Sequence, residues 1–137
     1  MQMTPYLSFN GQCEEALGFY ERSLGAKVGA VFRYEGTPLA QQVPSDWKNK
    51  VMHASITVGE QLLMAGDVAP DQYEVPKGFS LSLQMADTRE AERIYEDLAE
   101  GGRIVMPLAE TFWAARFGMV VDRFGIPWLI NCEAEPS

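Results

Sequence analysis

The sequence predicts an α+β fold made of two tandem βαβββ modules, and two repeated patterns carry this prediction. An amphipathic segment at 14–28 resembles a second one at 89–105, with matching residues 75 positions apart. Each segment follows a stretch of alternating apolar and polar residues and precedes a strand, a loop and a hairpin. Two such modules are expected to pair into one curved mixed sheet, with the helices outside and a cleft on the concave face.

Both helices are predicted from an apolar stripe at positions i, i+3 and i+4. The stripe residues are Ala16, Phe19 and Tyr20 in the first helix and Ala91, Ile94 and Tyr95 in the second. Gly25 and the pair Gly101-Gly102 are expected to end these helices, because glycine readily adopts the left-handed conformation common at helix ends.

The strands and turns complete each module. The segments "PYLSFN" and "FSLSLQM" are the first strands, because their apolar residues alternate with polar ones. Further strands are expected at 26–34 and 103–106, and hairpins at 51–67 and 117–132, which turn at Gly59-Glu60 and at Arg123–Gly125. The chain 1–137 is therefore expected to be one domain, with a first module at 1–67, a proline-rich and charged linker at 68–78, and a second module at 79–133.

Charge and composition restrict the class of partner. The chain has 137 residues, 11 basic against 19 acidic, and a net charge of −8. Nucleic acids and anionic membranes require a basic face, so neither is an expected partner. No apolar run approaches the roughly 18 residues that a membrane span needs, and no signal peptide is visible. We expect a cytoplasmic protein whose two cysteines stay reduced.

Strand alternation also places polar side chains opposite the helix-facing residues. This polar set consists of Tyr6, Ser8, His53, Ser55, Thr57, Ser82 and Gln84. Hydroxyl, imidazole and amide groups in such number are not expected in a dry core, so they indicate a cleft that binds a small-molecule ligand. His53 is the one histidine of the chain, so histidine-rich metal sites cannot form within a single copy.

These features resemble the vicinal oxygen chelate superfamily, which includes glyoxalases, bleomycin resistance proteins and dioxygenases, and within it the PhnB-like branch. The matching segments are "YLSFNGQCEEALGFYERSLGAKV", "MHASITVGEQLLMAGD" and "TFWAARFGMVVDRFGIPWLINC". Members of this branch often carry a methyltransferase label, but no glycine-rich nucleotide-binding loop is visible at a strand–helix junction here. The resemblance implies the βαβββ fold and, as is common in the superfamily, a homodimer.

Metal-dependent members of the superfamily hold a divalent ion with ligands from the first and last strands of each module. Transferred through the repeat, these places fall on Thr4 (or Pro5), Leu63, Ser80 and Leu129. None of these residues is an ordinary ligand of a catalytic transition metal, and leucine has no donor atom. From these residues we expect neither the usual four-point metal chelate nor another cofactor.

Three residues are the main candidates for chemistry. His53 could act as a general acid or base in the cleft, or it could be bonded to neighbouring strands for structural reasons. Trp113 and Arg116, in the motif "TFWAARFG", are expected in a loop across the mouth of the cleft. There they would bind a planar or carboxylate-bearing ligand. Alternatively, Trp113 packs as a lid while Arg116 pairs with an acidic residue such as Asp122.

Three functions follow from these observations. The first is a protein that binds a small polar or aromatic molecule without the usual metal chelate. The second is a glyoxalase- or lyase-like enzyme with His53 as acid or base and Arg116 as substrate anchor. In this alternative His53 and Asp67 could hold a metal in an arrangement different from the usual chelate. The third is a dimeric interaction protein with a vestigial cleft.

Overall fold

The computed structural model describes residues 1–133, and these residues form an α+β fold as the sequence predicts. The chain divides into two units, of which the first is Met1–Glu74 and the second begins at Val75. This boundary lies inside the segment 68–78, where a short 3₁₀ helix at Pro70–Gln72 follows the last strand of the first unit.

The first unit contains one helix and a four-stranded mixed sheet. Its elements are β1 (Tyr6–Phe9), α1 (Cys13–Leu24), β2 (Lys27–Arg33), β3 (Val51–Val58) and β4 (Gln61–Asp67). The sheet order is β1-β4-β3-β2, in which β1 and β4 are parallel and the other pairs antiparallel. Two 3₁₀ segments, Pro38–Gln42 and Ser45–Trp47, lie in the long connection from β2 to β3.

The second unit repeats this topology. Its elements are β5 (Leu81–Met85), α2 (Thr88–Ala99), β6 (Arg103–Ala109), β7 (Ala114–Val121) and β8 (Pro127–Glu133). The order β5-β8-β7-β6 matches that of the first sheet, again with one parallel pair, β5 and β8. The predicted tandem of βαβββ modules is therefore confirmed, with one four-stranded sheet in each unit.

Helix ends follow the predicted glycines only in part. Gly25 caps α1 in the left-handed conformation, with φ of 67°, and its N–H donates to the carbonyl of Glu21. Helix α2 begins where the Asp87 carboxylate accepts a hydrogen bond from the backbone N–H of Arg89. This helix is capped at Glu100, one residue before the predicted stop at Gly101.

Each sheet buries the face that carries its helix. In the first unit the buried strand residues include Leu7, Phe9, Ala54, Ile56 and Ala65; in the second they include Val120, Trp128, Ile130 and Cys132. The alternate residues of the same strands are more accessible, because successive side chains of a strand point to opposite faces. We call the more accessible side of the first unit's sheet the first open face, and that of the second unit's sheet the second open face. Within residues 1–133, no helix is both long and apolar enough to span a membrane.

One loop prediction is wrong. Trp113 and Arg116 are predicted in a loop, but β7 already begins at Ala114 and pairs with β8 from there. Only the part before Ala114 is a turn, in which the Thr111 hydroxyl accepts the backbone N–H groups of Trp113 and Ala114. The pairing of β7 explains the difference, since it gives these backbone groups partners that a loop would lack.

Candidate functional site

The first open face carries the polar side chains that alternation predicts for the first unit. His53, Ser55 and Thr57 alternate with buried residues of β3, and Tyr6 and Ser8 alternate with buried residues of β1. Strand pairing connects the two groups, since Tyr6 pairs with Met64 of β4, which in turn pairs with Ser55. All five predicted residues of this unit therefore lie on one side of one sheet.

An aromatic row crosses this face. The ring of Tyr6 stacks on His53, with centroids 5.7 Å apart and planes inclined by 29°. On the other side Phe32 stacks on His53 at 6.5 Å and 28°. The outer two residues are strongly accessible, with Tyr6 48% and Phe32 55% exposed. Aromatic rings this exposed present flat apolar surface to a ligand.

The Tyr6 hydroxyl is held at the base of this row. It donates to the carbonyl of Met52 at 3.4 Å and lies 3.5 Å from Nδ1 of His53. Burial, followed by the charges of Cys13, Tyr34 and Asp67, raises the pKa of Tyr6 above its ordinary value of 10.0. The phenol therefore remains a neutral hydrogen-bond donor at neutral pH.

Gly66 makes this arrangement possible, and sequence reasoning missed it. A Cβ atom at this position would lie 2.7 Å from the Tyr6 hydroxyl and 2.5 Å from the carbonyl oxygen of Met52. Any larger residue would therefore displace the tyrosine or the backbone of β3. The predicted site also lacked Phe32, because its place beside His53 follows from the pairing of β2 with β3, which no local pattern in the sequence states.

The second open face combines amides with apolar side chains. Asn131 donates to the carbonyl oxygen of Gln84 at 2.7 Å, and Gln84 donates to the hydroxyl of Ser82. Register places Phe117 opposite Asn131, and Trp113 packs edge-on against Phe117 with centroids 5.3 Å apart. Ser82 and Gln84 therefore lie on one face, as alternation predicts, and Asn131, Phe117 and Trp113 lie on this face with them.

Arg116 does not belong to this face. It pairs in register with Cys132, which is buried on the helix side of the sheet. Its Nε donates to the carboxylate of Glu92 on α2 at 3.2 Å. Within β7, Arg116 alternates in step with the buried Gly118 and Val120, which places it on the helix side of the sheet. The interpretation of Arg116 as a ligand anchor in the cleft therefore loses its geometric support, and its acidic partner is Glu92 rather than Asp122.

The equivalence drawn between Leu63 and Leu129 is also wrong. Leu63 pairs with Ile56 and is only 4% exposed, so it lies in the core, whereas Leu129 pairs with Ser82 on the second open face. The counterpart of Leu129 is Met64. Met64 pairs with Tyr6 and Leu129 pairs with Ser82, and these two partners occupy equivalent places in the first strands of the two modules.

The turns explain this error of one residue. Two residues separate the paired positions Val58 and Gln61, but five separate Val121 and Pro127. The glycines of the two turns are therefore not equivalent reference points. Because side chains alternate along a strand, a shift of one residue moves a position to the other face.

The corrected positions still do not fit the metal that the fold family implies. With Met64 in place of Leu63, the four residues offer two hydroxyls, one thioether and one hydrocarbon side chain. A divalent catalytic metal in proteins is held by imidazole, carboxylate or thiolate groups, which are missing from this set. Within residues 1–133 no group of three or more His, Cys, Asp and Glu residues is placed to hold a metal ion.

Asp67 is a structural residue rather than a partner of His53. Its carboxylate accepts the backbone N–H of Cys13 at 2.9 Å, at the start of α1, and that of Val51 at 3.2 Å. Burial raises the pKa of Asp67, although these bonds and the charge of Lys50 oppose the shift. Asp67 shares the helix side with Leu63 and Ala65, whereas His53 is on the open face, so the two do not form a metal pair.

Cys13 is buried beside this carboxylate and is not an activated nucleophile. Burial, with a further contribution from the charges of Asp67 and Glu14, raises the pKa of its thiol to about 12. A thiol reacts as its thiolate, so Cys13 is inert at neutral pH.

The fold resembles that of a solved domain of the glyoxylase, bleomycin resistance protein and dioxygenase type. A domain of this type from Frankia sp. EAN1pec has the same fold, with a TM-score of 0.70 at 13% identity over 98% of both chains. Residues 1–131 match the family described as 3-demethylubiquinone-9 3-methyltransferase. The chain belongs to this PhnB-like family.

Three relatives show the closeness of the match. Protein YjdN of Escherichia coli (strain K12) is 35% identical over an alignment of 142 positions, which covers 96% of this chain and 95% of that protein. Protein PA1353 from Pseudomonas aeruginosa is 48% identical, with a TM-score of 0.86 over 97% and 98% of the two chains. The PhnB protein from Bacillus cereus is 25% identical, with a TM-score of 0.83 over 96% and 99%.

Proposed function

We propose that this chain binds a small aromatic molecule with polar substituents on its open faces, without a metal chelate. The aromatic row formed by Tyr6, His53 and Phe32 is the observation that carries the proposal. Each pair of rings is held in a stacked geometry, and the two outer rings are about half exposed. Such a row offers a preformed apolar surface, so little conformational entropy is lost when a planar ligand binds.

Hydroxyl groups beside the row would orient the ligand. Ser8, Ser55 and Thr57 lie on the same face, and each hydroxyl can both donate and accept a hydrogen bond. A mainly apolar surface with a few placed polar groups is the usual composition of a small-molecule site. This composition supports a binding function more directly than the enzymatic alternative, for which Arg116 was the expected anchor.

Replacing Phe32 with alanine is expected to weaken binding of an aromatic probe by about tenfold, because one half of the stacking surface is removed. Coumarin is a suitable probe, and its dissociation constant can be measured by two-dimensional NMR titration. In the wild type, the resonances of Tyr6 and His53 are expected to shift as coumarin is added.

Phe79→Ala is the matched control, because Phe79 is also a phenylalanine and is 51% exposed outside the aromatic row. Its affinity for coumarin is expected to equal that of the wild type. Equal affinities of the Phe32→Ala and Phe79→Ala variants would contradict the role of the aromatic row. Failure of wild-type protein to bind coumarin or a panel of one- and two-ring aromatic molecules would contradict the proposed function.

A second candidate function is self-association through β6. This strand is at the edge of its sheet, and Ile104, Val105 and Met106 are 55%, 48% and 44% exposed. An accessible apolar edge strand is a common site of association between chains. A second copy of the chain would bury these side chains and so form the homodimer expected from the family resemblance.

Val105→Lys is expected to convert this dimer into a monomer, because a charged side chain would have to be buried at the interface. Sedimentation velocity measures the change directly. Val75→Lys provides the control, since Val75 is 66% exposed in the connection between the units and should leave the dimer intact. A wild-type chain that sediments as a monomer would rule this candidate out.

A further inference from the structure

We propose that the second open face selects planar aromatic molecules that carry a neutral hydrogen-bond acceptor, such as a ring carbonyl, over molecules that carry only donors. This inference rests on the proposed function, because it specifies the ligand chemistry of a protein that binds aromatic molecules. It depends on side chains of the second unit alone, so it can fail while binding to the first open face stands.

The side chains involved form a line across three strands. Gln84 on β5 pairs in register with Asn131 on β8, and Asn131 pairs with Phe117 on β7. Side chains at such paired positions on one face are about 5 Å apart. The line therefore passes from an amide, through a second amide, to an aromatic ring, which matches a planar molecule with a polar group at one end.

The direction of the hydrogen bonds on this face determines which polar group of a ligand can bind. The side-chain nitrogen of Asn131 donates to the carbonyl oxygen of Gln84, and the nitrogen of Gln84 donates to the hydroxyl of Ser82. One lone pair of Gln84 Oε1 is thus occupied, while the second N–H of the same amide remains for a ligand. The Ser82 hydroxyl accepts from Gln84, so its own proton is also free to be donated.

The acceptor at the Asn131 end of this series of hydrogen bonds is hidden from a ligand. Oδ1 of Asn131 is buried and has no hydrogen-bond partner among the residues that the structure describes. By contrast, Ser82 and Gln84 are exposed. Ser82 and Gln84, at the accessible end of this series of hydrogen bonds, consequently present donors. Asn131, at the inaccessible end, holds the unused acceptor. A ligand that covers the Gln84 N–H without accepting its hydrogen bond removes this group from water, which costs about 1–3 kcal/mol.

The aromatic end supplies the apolar surface. Trp113 is 51% exposed and packs edge-on against Phe117, so its ring stands above the sheet beside the amide line. Phe112 packs edge-on against Trp113 at 4.7 Å and holds the other side of the indole. The exposed part of the indole therefore offers apolar surface to a planar ring. A neutral acceptor is favoured over a carboxylate, because the net charge of −8 disfavours anions.

Coumarin and indole test the proposal, because both are planar two-ring molecules while coumarin has acceptors only and indole a donor only. Two-dimensional NMR titration of the full chain follows the side-chain amide signals of Gln84 and Asn131 and the indole N–H of Trp113. We expect coumarin to shift these signals and to bind at least about tenfold more tightly than indole.

Gln84→Leu is expected to reduce the ratio of the two affinities to about one, because it removes the exposed amide while keeping the side-chain volume. Gln61→Leu is the matched control, since Gln61 is an exposed glutamine at the start of β4 in the first unit, and it should keep the ratio of the wild type.

The possible outcomes separate the two proposals. Equal affinities in the wild type, a preference for indole, or a preference that survives in Gln84→Leu would overturn the inference. Coumarin that shifts only Tyr6, His53 and Phe32 would overturn it too, and would leave the proposed function standing. Coumarin that shifts no signal of either face would overturn both.

Discussion

Replacing Asp122 with alanine is expected to lower the free energy of unfolding by about 4 kcal/mol, because three buried donors lose their acceptor. Asp122 is 3% exposed. Its Oδ1 accepts the backbone N–H groups of Phe124 at 2.8 Å and Ile126 at 3.1 Å. Its Oδ2 accepts the indole N–H of Trp128 at 2.9 Å. One carboxylate thus fixes the β7–β8 turn and the largest fully buried side chain of the second unit.

Urea denaturation, monitored by circular dichroism, measures this loss of unfolding free energy. Asp71→Ala is the control, because Asp71 is an exposed aspartate in a 3₁₀ segment, and the change should be within about 0.5 kcal/mol. The variant Asp122→Asn keeps one acceptor and should fall between the two. A loss below 1 kcal/mol for Asp122→Ala would show that the turn is held by its backbone bonds alone.

Gly66→Ala is expected to destabilise the chain by about 3 kcal/mol, because the added methyl group meets backbone that cannot move away. The new Cβ would lie 2.5 Å from the carbonyl oxygen of Met52 and 2.7 Å from the hydroxyl of Tyr6. Strand β3 or the tyrosine must therefore shift, and the stacking of Tyr6 on His53 should be disturbed with it. We expect coumarin binding to weaken as a second consequence.

Gly18→Ala separates this steric effect from the general effect of removing a glycine. Gly18 lies within α1, and the nearest atom to a Cβ there is the flexible guanidinium of Arg22 at 3.4 Å. Alanine at this position should stabilise the helix by roughly 1 kcal/mol. Urea denaturation of both variants gives the comparison, and a Gly66→Ala variant as stable as the wild type would refute the assigned contact.

Much of the fold could be predicted from the sequence because its signals are local and repeated. The apolar stripes of α1 and α2 and the alternation of β1, β3 and β5 each indicate one element and one buried face. Tyr6, His53 and Ser55 were placed on the correct side for this reason, since alternation needs no knowledge of distant contacts.

The errors arose where the outcome depended on strand pairing. Arg116 is predicted in a loop, but it lies in β7 with the same parity as the buried Gly118 and Val120, so the strand directs it to the helix side. Leu63 was matched to Leu129 by counting from turn glycines that belong to turns of different length. Phe32 and Gly66 entered the site only through their neighbours on β3, and no local pattern states which strands are adjacent.

The alternation of side chains across each sheet has a consequence for how this protein can change over generations. Residues that face α1 and α2 maintain the fold, whereas those on the open faces contribute little to the core. Tyr6 and Ser82 occupy equivalent places in the two modules, yet the first side chain carries an aromatic ring and the second only a small hydroxymethyl group. Substitutions at open-face positions that lack close contacts of the kind made at Gly66 are therefore expected to alter the chemistry of one face while leaving the stability of the chain almost unchanged.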